Sequence, residues 1–150
     1  MDKQFKRIQE LITLRDRNNA DVSIADVGWH LYHILKTLKV ICEQMAMSQS
    51  LDYKWKFNFI REMIQLTGRM PRGRGKSPKA VKPPSQFTQE DIELLLIEAK
   101  NVWDEAQQLQ SDQFFIHPLF GKYNKKAAMR FIIIHSNHHL RIITDILRTA

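Results

Sequence analysis

Residues 124–146, NKKAAMRFIIIHSNHHLRIITDI, carry apolar or histidine side chains at Ala128, Phe131, Ile132, His135, His139, Ile142 and Ile146. Those spacings of three and four are the period of a helix with one buried stripe. His135 and His139 fall inside the stripe, one turn apart, so both rings point towards a core rather than into water. A buried imidazole without a polar partner costs about 1–3 kcal/mol, so each ring needs a hydrogen bond, a water or a metal ion. His138 sits about 100° round the same helix and is expected to face a flanking element or solvent. Asn124 is positioned to cap the helix.

A second histidine window, WHLYH at residues 29–33, lies about a hundred residues earlier; the two windows hold five of the six histidines. Val27, Leu31, Ile34, Leu38, Ile41 and Met45 form another helical stripe, with Asp26 as its candidate cap. Counting from Asp26 puts His33 on an inward edge near Thr37 and Val40. His30, one turn earlier on nearly the same side, is the reserve choice. Two imidazoles at i and i+4 on one helix and a third from another can meet at one ion. Three neutral nitrogens with open positions describe a reactive metal site, because a structural zinc takes four protein ligands, usually with thiolates among them. The competing reading is a set of hydrogen-bonded core histidines with no ion.

Two further stripes complete a helical pattern. Phe5, Ile8 and Leu11 or Ile12 give the first, and Ile92, Leu95, Leu96, Ala99, Val102 or Trp103, Ala106 and Leu109 the third, after Thr88 as cap and Asp91 as its capping-box carboxylate. Main helices are therefore expected near 2–17, 24–47, 88–109 and 124–148 in an all-α single domain spanning 1–150. The stretch 53–66 reads either as a continuation of the second helix or as a short separate one. No run alternates in the strand manner, and no Gly-rich phosphate loop is present.

The net charge of +7 is concentrated in GRMPRGRGKSPKAVKPP, residues 68–84, which holds Arg69, Arg72, Arg74, Lys76, Lys79 and Lys82 and no acidic residue. Its four prolines and three glycines exclude a helix and predict a long basic Pro/Gly-rich loop between the second and third main helices. No aromatic stacking platform accompanies these cations, so nucleic acid is not the expected partner. The longest uninterrupted apolar run in the last helix, Phe131 to Ile134, is far short of a membrane span. The single cysteine, Cys42, and the charged start MDKQFKRIQELITLRDR fit a cytoplasmic protein without a secretory leader. His117, preceding Pro118 in FIHPLFGKYNKK, is expected in a loop at the bundle end, fixing the turn or lining the mouth of the site.

DVGWHLYHILKTLKVI, at residues 26–41, resembles the start of the second helix in the DinB-like (damage-inducible) superfamily, and its register selects His33. HPLFGKYNKKAAMRFIIIHSNHHLRII, at residues 117–143, resembles the HPxFG then HxxHHL ending of a DinB-like branch of unknown function. The resemblance implies a four-helix bundle with a three-histidine site for a divalent metal at His33, His135 and His139. Zinc, nickel and other divalent ions all suit such a donor set. Some relatives are metal-dependent transferases acting with small thiols on an electrophile. Leu140 follows the second histidine here where many relatives carry Gln, so the resemblance supports the fold better than one reaction. No carboxylate is placed as a general base, which favours thiol activation over hydrolysis. The alternative from another class is a non-catalytic bundle, a stress-response or binding module, and either version is compatible with a homodimer.

Overall fold

In a computed structural model, which describes residues 1–72 and 77–148, every α-helix but the first begins where the sequence provides a cap. Helix α2, Val27–Met47, starts after Asp26, whose carboxylate accepts from the Trp29 N–H at 2.6 Å. Helix α4, Gln89–Gln107, starts with the full capping box: Thr88 Oγ1 accepts from Asp91 N–H at 3.2 Å and Asp91 accepts from Thr88 N–H at 2.7 Å. Helix α5, Lys125–Arg148, has the Asn124 side chain accepting from Ala127 N–H at 3.0 Å. Each cap satisfies one of the donors a helix start leaves free and stabilises by about 1 kcal/mol.

Helix α1, Asp2–Leu11, is shorter than its stripe predicted, passing into a 3-10 turn at Ile12–Leu14. The chain bends there because the carbonyls of Arg15 and Arg17 are taken by the N–H groups of Gly28 and Val27. Gly28 permits that approach: a Cβ on it would lie 3.2 Å from Arg15 Cβ. The ambiguous stretch after α2 resolves into a separate helix α3, Phe59–Thr67, capped by Asn58 and closed by Gly68 at φ 63°. Gly68 adopts the left-handed conformation that favours glycine at a helix end.

Helix α2 is the organising element, packing most extensively on α4 and then on α5, while α1 touches both of these. Ile8, Leu31, Ile34, Leu35, Ile92, Ala99, Ile143 and Ile146 are fully buried where those helices meet. Each large aliphatic side chain so buried is worth roughly 1.5–3 kcal/mol, enough in sum for a core of this kind to stand without disulfides.

The expectation of a purely helical chain is corrected at one place. Phe114–His117 (β1) pairs antiparallel with Gly121–Asn124 (β2), with Phe115 opposite Tyr123. Four-residue strands are too short to display an alternating period, and Pro118 with Gly121 at φ 74° supplies the turn. Phe115 stacks on Tyr123 at 5.1 Å, and both rings rest on Phe131 of α5.

The basic stretch between α3 and α4 also departs from a solvated loop. It makes a 3-10 turn at Lys79–Val81, and Val81 is buried against the α2 side of the core. Arg72 pairs with Asp145 at 2.7 Å, and Arg15 donates to the Phe87 carbonyl at 2.7 Å. Arg74 and Lys76, expected in this loop, lie outside the described residues. Among those described, no helix is long and apolar enough to cross a membrane.

Candidate metal centre

Helices α2 and α5 run antiparallel, and the histidines lie along their contact: His30 meets His139, while His33 meets both His139 and His135. The rings of His33, His135 and His139 form a nearly equilateral triangle, with centroid separations of 5.0, 4.7 and 4.6 Å. One ligand atom from each falls within 4.8 Å of the others. The i, i+4 spacing on α5 supplies two corners, and the inward edge of α2 supplies the third. These are the three positions the sequence brought forward.

The other ring nitrogens decide what the triangle can bind. His33 donates from Nδ1 to the Val81 carbonyl at 2.8 Å, which leaves Nε2 bare as an acceptor. His139 Nδ1 lies 2.9 Å from His30 Nδ1, and His30 Nε2 lies 3.1 Å from Ser23 Oγ. Two tautomer arrangements satisfy that chain. In the one with protons on His139 Nδ1 and His30 Nε2, His139 Nε2 is bare like that of His33. Ligation at Nε2 selects this arrangement, with His30 holding the ring as outer partners of metal-binding histidines do. His30, the reserve ligand, is thus engaged at both nitrogens and stands behind the triangle instead of completing it.

Electrostatics keep these rings neutral in either arrangement. Burial depresses the His30 pKa to about 4, with the neighbouring His33, His138 and Arg72 adding to the effect. His135 and His139 are driven well below the ordinary value, first by burial and then by the surrounding histidines, and burial also lowers His33. Clustered imidazoles in a dry core stay neutral because charging one there means desolvating it beside others of its kind. Neutral imidazole is the ligand form, so at neutral pH a cation meets no competing proton. A borderline divalent ion fits this nitrogen set, and three protein donors leave coordination positions open.

Other groups shape the surroundings. Trp29 stacks on His33 at 4.8 Å and 24°, closing one wall. Thr37, one turn beyond His33 on the same edge of α2, is buried with its hydroxyl lacking a hydrogen-bond partner among the described residues. A buried hydroxyl left unpaired one turn from His33 suits a pocket that receives a further polar group. His138 is buried edge-on to His139 at 5.1 Å and donates to the Met70 carbonyl, facing the basic segment rather than open solvent.

His117 occupies the end of β1. Its Nδ1 accepts from the N–H groups of Leu119 and Phe120 at 3.1 and 3.2 Å, and its ring stacks on Phe120 at 4.1 Å. It therefore fixes the turn. Phe131 separates it from the triangle, lying edge-on to His117 at 5.4 Å and tilted to His135 at 6.0 Å. Sequence reasoning missed Ser23, the Val81 carbonyl and the Thr37 orphan. Ser23 in DVSIAD carries no periodic signal, and a backbone carbonyl has no side-chain identity to read.

Residues 25–143 match the sequence model of the DinB superfamily, and the chain belongs to that superfamily. No curated protein and no solved structure matches the chain.

Proposed function

We propose that this chain is a metal-dependent member of the DinB superfamily, with His33, His135 and His139 as ligands of one divalent ion, and that it transfers a small thiol to an electrophile. The observation carrying the reading is the triangle of neutral imidazoles with the His33 and His139 Nδ1 atoms engaged elsewhere. A bound divalent ion would supply Lewis acidity, lowering the pKa of a thiol that binds it. The protein's own residues orient and insulate: Val81 and His30 hold two rings, and Trp29 forms a wall. Helices α1, α2, α4 and α5 are the four-helix bundle of this reading, and α3 with the hairpin lies outside it. A cytoplasmic setting, where small thiols are abundant and Cys42 stays reduced, suits the same proposal.

Elemental analysis of the untagged protein tests the ligand set, with one divalent ion per chain as the expected result. Cobalt(II) or nickel(II) loading followed by thiol titration tests the chemistry, and a thiolate-to-metal charge-transfer band is expected. Full metal content without such a band, and without turnover across a broad panel of thiols and electrophiles, would leave a non-catalytic metal-binding module. Absence of metal affinity would overturn the proposal.

A further inference from the structure

Ser23 stands between solvent and the row of histidines. It is half-buried in the turn that leads into α2, where its N–H donates to the Asn19 carbonyl at 2.9 Å and its Oγ accepts from the Ala25 N–H at 3.1 Å. The first bond holds the backbone and the second the oxygen. That oxygen lies 3.1 Å from His30 Nε2, and His30 Nδ1 lies 2.9 Å from His139 Nδ1. Ser23, His30 and His139 thus form a single file from the turn to one corner of the triangle.

Each neutral imidazole carries one ring proton, so a choice made at one end of the file is passed to the other. With Ser23 Oγ accepting from His30 Nε2–H, His30 Nδ1 is bare and accepts from His139 Nδ1–H, and His139 Nε2 is bare in turn. Every N–H of the file then has an acceptor, and the hydroxyl hydrogen of half-buried Ser23 can turn to solvent. With Ser23 donating instead, both rings reverse and His139 Nε2–H points into the triangle. Neither His33 nor His135 makes a hydrogen bond to His139 among the described residues, so that proton has no protein acceptor. The first arrangement avoids a stranded donor, and it is complete only because Ser23 is there to take the His30 proton. We propose that Ser23 is a positioning residue of the centre, whose hydroxyl oxygen takes the His30 Nε2 proton and so, through His30, turns the Nε2 lone pair of His139 into the triangle. That lone pair serves a metal only on the ligand set proposed above; the control of His30 by Ser23 stands apart from it. An ion that meets the lone pair already presented has no tautomer change to drive, and this preorganisation shows as affinity.

Zinc titration of the untagged full chain against a competing chelator, together with long-range proton–nitrogen NMR spectra that report the protonated nitrogen of each histidine, tests the relay. Ser23→Val removes the hydroxyl and keeps water from replacing it, and Ser23→Thr is its isostere with the hydroxyl retained. The valine variant should bind zinc about 10-fold more weakly, and in its metal-free spectrum the His30 proton should move from Nε2 to Nδ1. The threonine variant should match the wild type in both. Ser23→Ala takes the place of the valine variant if the branched side chain disturbs the turn. In a His30→Ala background, Ser23→Val should change affinity by less than about twofold, since the connection is already cut. A His30 proton that stays on Nε2 without the hydroxyl overturns the proposal. So does a weakening that survives in full in the His30→Ala background, because it would belong to the turn and not to the relay. A wild type that binds no zinc, but whose His30 proton moves in the valine variant, supports the relay and overturns the ligand set instead.

Discussion

Protonating His117 should undo the turn between β1 and β2, and the cost can be worked from its surroundings. The ring accepts two backbone N–H groups at Nδ1 and is half-buried against Phe120 and Phe131. Acceptance requires the neutral ring. Burial lowers its pKa from 6.5 to about 4. The unfolded chain therefore binds the proton more readily than the folded one between those two values. This contribution to stability is fully present above about pH 6.5 and is lost as the pH falls towards 4. At full effect the difference is worth about 3 kcal/mol; partial exposure of the ring screens it, so about 2 kcal/mol is expected. Urea unfolding of the wild type and of His117→Leu, both in chelator, isolates this ring from the other histidines. The stability of the wild type relative to the variant should fall by about 2 kcal/mol between neutral pH and about pH 4. A gap that is the same at both pH values would refute the assignment of the turn to a neutral His117.

Ala substitution at His33, His135 or His139 should each remove most bound metal, read by elemental analysis after gel filtration, whereas His30→Ala should keep a site but bind about 10–100-fold more weakly. Retention of full metal content by both His135→Ala and His139→Ala would show the ligand assignment to be wrong. Chelation should leave far-ultraviolet circular dichroism nearly unchanged, because the apolar contacts of α2 with α4 and α5 do not need the ion; unfolding on chelation would make the ion structural. In the metal-free protein, Thr37→Val should raise stability by about 1 kcal/mol in a chemical melt, since it replaces an unpaired buried hydroxyl with a methyl of similar shape. A loss of stability there would mean that the hydroxyl already has a partner.

The helices were legible because their stripes are long and their caps unambiguous: Asp26, Thr88 with Asp91, and Asn124 all cap as their positions imply. The histidine triangle was legible for the same reason, since i, i+4 spacing on one stripe places two rings without tertiary information. What escaped depends on contacts between distant segments. The first helix ends early because Gly28 and Val27 claim carbonyls at Arg15 and Arg17, a pairing that neither segment announces alone. The hairpin gave no period in four residues. The choice between His30 and His33 turned on a register that α2 by itself leaves nearly degenerate, and the structure separates them through Val81 and Ser23.

The segment between α3 and α4 is fastened at several polar points: Met70 to His138, Arg72 to Asp145, Val81 to His33 and Phe87 to Arg15. One of these fasteners, His33, is a corner of the triangle, and another, His138, lies edge-on to the corner at His139. A chain so attached acts as a clasp whose grip reports the state of the rings beneath it. Any change that turns the His33 ring withdraws the donor from the Val81 carbonyl and frees the backbone around Lys79 and Lys82. The rate of trypsin cleavage after Lys79, the bond after Lys82 being protected by Pro83, then becomes a clock for events in a buried site, readable on a gel without a substrate, a chromophore or a label.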